Sequence, residues 1–169
     1  AGVGVDNVDL DQATKNRILV MNTPLGNLEA TAELSVGLMF SVMRNIHLAN
    51  DSTHQGKWEK PKFLGTELKG KVLGIVGYGN IGQRVAEICS TIGMKIITNS
   101  KSASDDDLSK FDVKKVSTDD LIKGADIISL HTKLNDETKY MINKETISTM
   151  KPTSVIINCA RGGLINESD

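Results

Sequence analysis

The sequence has few cysteines, no excess of charge and no long apolar run, and each absence excludes a class of protein. Its two cysteines, Cys89 and Cys159, are far apart and form no C-x-x-C pair, so we expect no disulfide, no metal site and a reducing, cytoplasmic compartment. The 20 basic and 21 acidic residues leave a net charge of -1, which predicts no basic surface for nucleic acid or a membrane. No apolar run approaches the ~20 residues that cross a bilayer, and the first residues, AGVGVD, do not resemble a signal peptide.

Strand and helix patterns alternate along most of the 169 residues. Short apolar runs predict strands at residues 16–22, 72–76, 95–98, 113–116, 126–130 and 154–158. Helical spacing predicts helices at about 28–49, 81–92, 118–123 and 144–150, with a polar connection at 51–63 and a polar loop after residue 98. This alternation predicts the α/β class, with a Rossmann-type doubly wound parallel sheet.

A glycine-rich loop, GYGNIG at residues 77–82, joins a predicted strand to a predicted helix. This is the G-x-G-x-x-G pattern in the context that dinucleotide binding requires. Gly77 permits a tight turn, Gly79 lets a pyrophosphate approach the backbone, and Gly82 lets the helix pack closely on the strand. The unpaired amides and the dipole at the helix start favour the phosphate charge. The loop therefore predicts a bound dinucleotide.

The tip of the second strand lacks the acid that usually holds the adenosine ribose, about 20 residues past the loop. The strand ends Asn99-Ser100-Lys101. Ser100 can hydrogen-bond a hydroxyl or a phosphate, and Lys101 can neutralise a 2′-phosphate, which favours NADP. Alternatively, Lys101 is a solvated loop lysine and Ser100 a weaker partner for NAD. The acidic run at 105–107 would discourage an extra phosphate if it folded back, so both cofactors stay open.

An arginine follows the last predicted strand. Residues 157–163 read INCARGG, which places Arg161 at the carboxyl end of the strand, where ligands of open parallel sheets lie. A guanidinium there can hold a carboxylate and polarise a carbonyl oxygen; the alternative is a surface arginine in a turn. His131 and Thr132 end another strand on the same edge. We interpret His131 as a structural or cofactor-side residue, because the sequence supplies no carboxylate to orient it.

Several segments together resemble the D-isomer-specific 2-hydroxyacid dehydrogenases. They are AGVGVDNVDL, NTPLGN, AEL, GKWEKPKFLGTELKGK, GYGNIG, HTKL and NCARGGLINE. The resemblance covers the whole chain, and GKWEKPKFLGTEL and NCARGG favour the branch that oxidises 3-phosphoglycerate to 3-phosphohydroxypyruvate in serine synthesis. A glyoxylate or hydroxypyruvate reductase of the same family is an alternative. A dinucleotide-sensing corepressor of the C-terminal-binding-protein type is an alternative of another class.

The resemblance implies roles for individual residues. Arg161 matches the catalytic arginine that grips the substrate, and the backbone around Val3 and Gly4 matches the amides that receive the substrate carboxylate. The family usually has an aspartate where Ser100 stands. Together with the residues above, the candidate cofactor-binding set is Val3, Gly77, Gly79, Asn80, Ile81, Gly82, Ser100, Lys101, His131, Thr132, Cys159, Ala160 and Arg161.

The resemblance also predicts how the chain is organised. We expect residues 1–22 to be a remnant of the junction with a substrate domain and residues 23–169 to be the dinucleotide-binding domain. The family's proton-transferring histidine and its glutamate partner lie downstream of the arginine motif. We therefore expect a piece of a longer enzyme, truncated at both ends, that binds cofactor but turns over little or no substrate alone. The long segment 28–58 predicts a homodimer or tetramer, or else a helix packed on its own domain.

Overall fold

A five-stranded parallel sheet lies at the centre of the computed structural model, which describes residues 2–5 and 7–169. The strands are β1 (Val72–Val76), β2 (Lys95–Thr98), β3 (Lys114–Lys115), β4 (Ile127–Leu130) and β5 (Val155–Asn158). Their order is β3-β2-β1-β4-β5, so the chain moves from β1 to one edge and then crosses to build the other half. This topology is the doubly wound sheet, and the predicted fold class is confirmed.

Within the described residues, seven α-helices accompany the sheet. They are α1 (Leu10–Lys15), α2 (Leu28–Met43), α3 (Ile46–His54), α4 (Asn80–Thr91), α5 (Asp105–Ser109), α6 (Thr118–Gly124) and α7 (Lys144–Thr149), with two 3-10 turns at Lys60–Phe63 and Gly162–Leu164. The helices predicted at 81–92, 118–123 and 144–150 correspond to α4, α6 and α7. The sequence reasoning missed α1 and α5, because 6 and 5 residues are too few to show a helical period.

Two apolar clusters cover the two faces of the sheet. Leu73 and Ile75 belong to the cluster under α2 and α4, which also holds Met39 and Val85. Neighbouring strand residues point the other way into a second cluster, formed by Val76, Leu121, Ile122, Ala125, Ile128, Leu130, Ile142 and Leu164. All four residues of β4 are buried, as predicted for a strand that is covered on both faces. Because both faces are covered, ligands have access to the strands only at their ends.

The strand predicted at residues 16–22 is wrong. This stretch is irregular, and Leu19 and Met21 are 79% and 81% exposed. The amides of Arg17 and Ile18 donate back to the end of α1. An apolar run becomes a strand only where a neighbouring strand takes up its hydrogen bonds. No strand of the described residues pairs with residues 16–22.

The single helix predicted at 28–49 is also wrong, because the structure has two helices there. α2 ends at Met43 and α3 begins at Ile46. Between them Asn45 has a φ of 53°, in the left-handed region, which interrupts a right-handed helix and which asparagine tolerates better than most residues. The predicted polar connection at 51–63 therefore contains the end of α3 and a 3-10 turn.

Asp126 ties together the amino ends of three strands. Its carboxylate accepts the Val72 amide at 2.8 Å and the Lys151 ammonium at 2.7 Å. Its own amide donates to the Val72 carbonyl, and its carbonyl accepts the Val155 amide. Burial acts to raise the pKa of Asp126, but the hydrogen bonds from Lys151 and Val72 outweigh it and hold the pKa below its usual value. The carboxylate is therefore charged at neutral pH and joins β1 to β4 and β5.

We expect Asp126→Ala to lower the free energy of unfolding at pH 7 by about 2 kcal/mol, because the Val72 amide loses a charged acceptor. The matched variant Lys151→Ala removes only an ion pair that is partly exposed to solvent, and should cost less than about 1 kcal/mol. Urea unfolding followed by circular dichroism measures both. Equal losses for the two variants would show that the ion pair, and not the bond to Val72, holds this end of the sheet.

Candidate dinucleotide site

The candidate residues, apart from those near the N-terminus, follow the carboxyl ends of four parallel strands. The glycine loop follows β1, Ser100 and Lys101 follow β2, His131 and Thr132 follow β4, and Cys159, Ala160 and Arg161 follow β5. Because the strands are parallel, these loops lie along one edge of the sheet, which we call the carboxyl edge. The chain turns in opposite directions after β1 and β4, and such a divergence opens a crevice between neighbouring loops.

Two glycines of the loop are required by close backbone contacts. Gly77 has a φ of +93°, and a Cβ there would lie 2.6 Å from the His131 carbonyl oxygen. A Cβ on Gly82 would lie 2.2 Å from the Gly77 carbonyl oxygen. The first contact shows that the glycine loop lies directly against the segment after β4. The second shows that α4 begins in contact with the turn that precedes it.

Gly79 differs from these two, because a Cβ there would meet no atom within 4 Å. It is the N-cap residue of α4, and no side chain caps the helix. Within the described residues, no hydrogen bond engages the amides of Asn80 and Ile81. These amides follow Gly79 directly in the first turn of α4 and can donate to an anion. The geometry fits a pyrophosphate, which needs close approach to the backbone and free N–H donors.

The tip of β2 is held by hydrogen bonds from the strand itself. The buried Thr98 hydroxyl donates to the Ile75 carbonyl at 2.8 Å and accepts the Ser100 amide at 3.3 Å. The Ser100 hydroxyl lies 3.3 Å from the Ser102 hydroxyl, and the Lys101 side chain is exposed. The sequence reasoning did not single out Thr98, whose anchoring role depends on the neighbouring strand.

His131 has a hydroxyl partner. Its Nε2 lies 2.8 Å from the hydroxyl of Ser129, a fully buried residue of β4. Burial lowers the pKa of His131 to about 4, so the imidazole is neutral at pH 7. No carboxylate of the described residues hydrogen-bonds to this ring. Histidines that move protons are commonly oriented by a carboxylate, and His131 lacks this arrangement in the described structure.

Arg161 is positioned by Asn158, the last residue of β5. The Asn158 side chain donates to the Arg161 carbonyl at 2.9 Å and accepts the Ala160 amide at 3.0 Å. The exposed Arg161 side chain also donates to the Ala160 carbonyl at 3.0 Å. Cys159 packs against the cluster under α4, and Ala160 against the cluster on the other face. Asn158 was missed by the sequence reasoning, although an asparagine at the start of a tight turn is a signal for this bonding pattern.

Val3 and Gly4 lie on an N-terminal segment that is tied to residues 22 and 23. The Asn22 side chain donates to the Val3 carbonyl at 2.9 Å, and the Thr23 amide donates to the Gly2 carbonyl at 3.0 Å. In the ranges 2–5 and 7–169, no hydrogen bond joins Val3 or Gly4 to the loops of the carboxyl edge. The structure therefore places the glycine loop against the segment that contains His131. Within the described residues it shows no hydrogen bond from Val3 or Gly4 to the loops of the carboxyl edge.

Comparison with known proteins identifies relatives along the whole chain. The family described as D-isomer specific 2-hydroxyacid dehydrogenase, NAD binding domain, matches residues 36–169. A hydroxypyruvate reductase of Thermotoga maritima is 45% identical over 167 residues, which are 99% of this chain and 54% of that protein. A D-3-phosphoglycerate dehydrogenase of Bacillus subtilis is 42% identical over 168 residues, which are 99% of this chain and 32% of that protein. The chain thus spans between a third and about half of the length of these relatives.

Solved structures give the same relationship. The apo structure of D-lactate dehydrogenase from Escherichia coli has a TM-score of 0.90 at 30% identity, covering 99% of this chain and 52% of that one. A D-lactate dehydrogenase from Aquifex aeolicus, complexed with NAD and lactic acid, has a TM-score of 0.88 at 34% identity, covering 98% of this chain and 50% of that one.

Two features are absent from the described residues. No helix among them is long and apolar enough to cross a membrane, and no group of three or more His, Cys, Asp or Glu side chains is placed to hold a metal ion.

The family match over residues 36–169, with the parallel sheet and the open start of α4, confirms the resemblance that the sequence motifs showed. The chain belongs to the D-isomer-specific 2-hydroxyacid dehydrogenases, and it matches their NAD-binding domain.

Proposed function

We propose that this chain holds a nicotinamide dinucleotide at the carboxyl edge and that the whole protein oxidises a 2-hydroxy acid. The observation that carries the proposal is the open start of α4, where Gly79 leaves space beside the free amides of Asn80 and Ile81. These amides would hold the pyrophosphate. Thr132, Cys159 and Ala160 follow the neighbouring strands and would line the rest of the cofactor.

When bound, the nicotinamide supplies an acceptor for the hydride that leaves C2 of the hydroxy acid with its electron pair, as the hydroxyl proton passes to a base. We assign Arg161 to the substrate. Its carbonyl is held by the Asn158 side chain, and the residue is exposed at the carboxyl edge. A guanidinium can hold the substrate carboxylate and stabilise charge on the C2 oxygen. We assign the amides around Val3 and Gly4 to the same carboxylate.

His131 is not our candidate for the base. Its pKa of about 4 makes it a weak proton acceptor at neutral pH, and its Nε2 is engaged with the Ser129 hydroxyl. We therefore assign His131 to the cofactor side of the crevice. The His131 carbonyl lies close to Gly77. This supports the assignment, because the residue packs against the glycine loop.

For the substrate we propose 3-phosphoglycerate, oxidised to 3-phosphohydroxypyruvate in serine biosynthesis. Phosphoglycerate dehydrogenases from bacteria, an archaeon and mammals are 42% to 44% identical to the chain. Hydroxypyruvate or glyoxylate reduction is the second candidate, because the relative from Thermotoga maritima is 45% identical and is a hydroxypyruvate reductase. Values of kcat/KM for 3-phosphoglycerate, D-glycerate and D-lactate, measured on the full-length protein, distinguish these proposals.

We propose further that residues 1–22 join the domain 23–169 to a substrate domain, and that two copies associate through α2 and α3. In support, the stretch around Leu19 is exposed and irregular. The two helices also expose apolar side chains that a second subunit would cover: Leu34, Leu38, Phe40, Val42, Ile46 and Leu48.

The role proposed for Arg161 predicts that its removal weakens substrate binding much more than cofactor binding. We expect Arg161→Ala to weaken binding of a 2-oxo acid to the protein–NADH complex at least about tenfold. The affinity for NADH itself should change by less than about threefold, since the backbone amides of α4 hold the pyrophosphate. NADH fluorescence titrations, with and without hydroxypyruvate or 3-phosphohydroxypyruvate, measure both affinities.

The matched control is Lys133→Ala, which removes a positive charge from an exposed residue just after Thr132 on the same edge. An equal loss in the two variants would mean that Arg161 contributes only charge and does not grip the substrate. Failure of both NADH and NADPH to bind the unmodified protein would refute the proposed dinucleotide site.

A further inference from the structure

We propose that the tip of β2 selects NADP over NAD, by holding the phosphate on the adenosine 2′ oxygen among Ser100, Lys101 and Lys115. The inference rests on the proposed dinucleotide site, because it places the adenosine ribose beside β2. It adds a phosphate-binding subsite and its specificity to that site. Four observations support it: the missing carboxylate, the fixed Ser100, the two ammonium groups and the hydrogen bonds that engage the nearby Asp107.

The carboxylate that would select NAD is absent from the end of β2. In a doubly wound sheet, an acid at this point accepts hydrogen bonds from the ribose hydroxyls and repels a 2′-phosphate. Here the strand ends with Thr98, and Asn99 and Ser100 follow. The Asn99 side chain donates to the Thr118 hydroxyl at 3.0 Å, which leaves Ser100 as the polar side chain in the position of the acid.

Ser100 is held in place next to β1. Its amide donates to the Thr98 hydroxyl, which itself donates to the Ile75 carbonyl in β1. Among the described residues, the hydroxyl of Ser102 is the one hydrogen-bond partner of the Ser100 hydroxyl. Because Ser100 is anchored through Thr98 to the strand that leads into the glycine loop, a nucleotide bound to the loop would place its ribose near this hydroxyl.

Two lysines, Lys101 and Lys115, lie beside the tip of β2. Lys115 pairs with Thr98 across β2 and β3, and its Nζ donates to the Lys101 carbonyl at 3.2 Å. An ammonium has three N–H donors, so Lys115 retains two for a phosphate. Lys101 follows Ser100 directly, and its side chain is exposed. Neither lysine forms an ion pair with an acid of the described residues.

The acidic run at 105–107 begins α5, which lies beside the glycine loop, since the Tyr78 hydroxyl donates to the Asp107 carbonyl at 3.5 Å. The carboxylate of Asp107, which is the most buried of the three, accepts hydrogen bonds from the Ser104 hydroxyl at 2.7 Å and the Lys110 ammonium at 2.8 Å. Asp107 is therefore engaged along its own helix, and its charge is paired with the Lys110 ammonium.

Calorimetric titrations with NAD and NADP test the proposal, and adenosine 2′,5′-bisphosphate against AMP tests the adenosine half alone. We expect each 2′-phosphorylated ligand to bind at least about tenfold more tightly than its partner. Ser100→Asp should reverse the preference, because it places a carboxylate against the phosphate. Lys115→Ala should weaken NADP binding about fivefold and leave NAD unchanged. Lys114→Ala, an exposed lysine on the same strand, is the matched control and should change neither affinity.

The outcomes separate this proposal from the one it rests on. NAD binding as tightly as NADP would overturn the phosphate subsite and leave the dinucleotide site intact. Binding of neither cofactor would overturn both. If Ser100→Asp does not fold, as judged by thermal unfolding, Ser100→Ala and Lys101→Ala replace it. A ratio of NADP to NAD affinity that stays constant across these variants would then refute the assignment.

Discussion

Replacing Gly82 by alanine should destabilise the domain by about 3 kcal/mol or more, whereas replacing Gly79 should leave stability unchanged and weaken dinucleotide binding at least about tenfold. At Gly82 the new Cβ would lie 2.2 Å from the Gly77 carbonyl oxygen. Both atoms are attached to backbone, so α4 must move away from β1 to relieve the overlap. That movement breaks the packing of the central strand against its helix, which is why the expected loss is large.

At Gly79 an added Cβ causes no such overlap. The backbone angles are φ -80° and ψ -166°, which alanine adopts without strain, and its Cβ would enter open space. That space is where the pyrophosphate would approach the amides of Asn80 and Ile81. We therefore expect unchanged unfolding but a loss of NADH affinity of at least about tenfold, since the methyl group keeps the phosphates from the N–H donors.

Gly124→Ala is the control for both variants. Gly124 is the last residue of α6, and a Cβ there also meets no atom within 4 Å. Its substitution should shift stability by no more than about 0.5 kcal/mol and leave binding intact. Urea unfolding and NADH titration are measured on all three variants. Tight NADH binding by the Gly79→Ala protein would contradict a pyrophosphate at this helix start.

Lowering the pH from 7 to 4 should cost the domain roughly 3 kcal/mol through His131 alone. In the unfolded chain the imidazole takes up a proton near its ordinary pKa of 6.5, whereas burial lowers the pKa of the folded state to about 4. Between these two values the unfolded state binds more protons than the folded state. The contribution of His131 to stability is therefore fully present above pH 6.5. It decreases as the pH falls from 6.5 to about 4, and it decreases no further below pH 4.

Urea unfolding at several pH values between 7 and 4 measures this effect as the difference between the wild type and His131→Gln, since that difference cancels the other titrating groups. Ser129→Ala is the companion variant. It removes the hydroxyl beside Nε2 but leaves the ring buried. Because burial is the cause of the lowered pKa, Ser129→Ala should keep the pH dependence while losing stability at every pH. Parallel curves for the wild type and His131→Gln would show that His131 is not the source.

The central part of the fold could be predicted from local patterns. β1, the glycine loop and α4 occupy consecutive residues, and each has its own signal: an apolar run, three spaced glycines and a helical period. β2 begins and ends at the predicted residues 95 and 98. β1 gives the strongest of these signals, because four of its five residues are buried and its apolar pattern is continuous.

Other features depended on partners that are distant in the sequence. The run at 16–22 has the composition of a strand but no strand beside it within the described residues, and the helix at 28–49 is divided where Arg44 and Asn45 leave the helical conformation. The supports of the site were missed for a related reason. Thr98, Ser129 and Asn158 position Ser100, His131 and Arg161 through hydrogen bonds whose geometry exists only after the strands and turns have formed.

The order of residues alone was therefore enough to predict the parallel α/β class, the glycine-rich turn between β1 and α4, and the family, because periodicity and glycine spacing are local properties of the chain. Tertiary structure decided which loops touch, where a Cβ is tolerated, and which groups surround Ser100 and His131. The burial that lowers the pKa of His131, and the approach of Lys115 to the tip of β2, arise from packing between segments that are remote in sequence. No local pattern encodes such contacts, since hydrogen bonds and desolvation depend on distances that the folded chain alone defines.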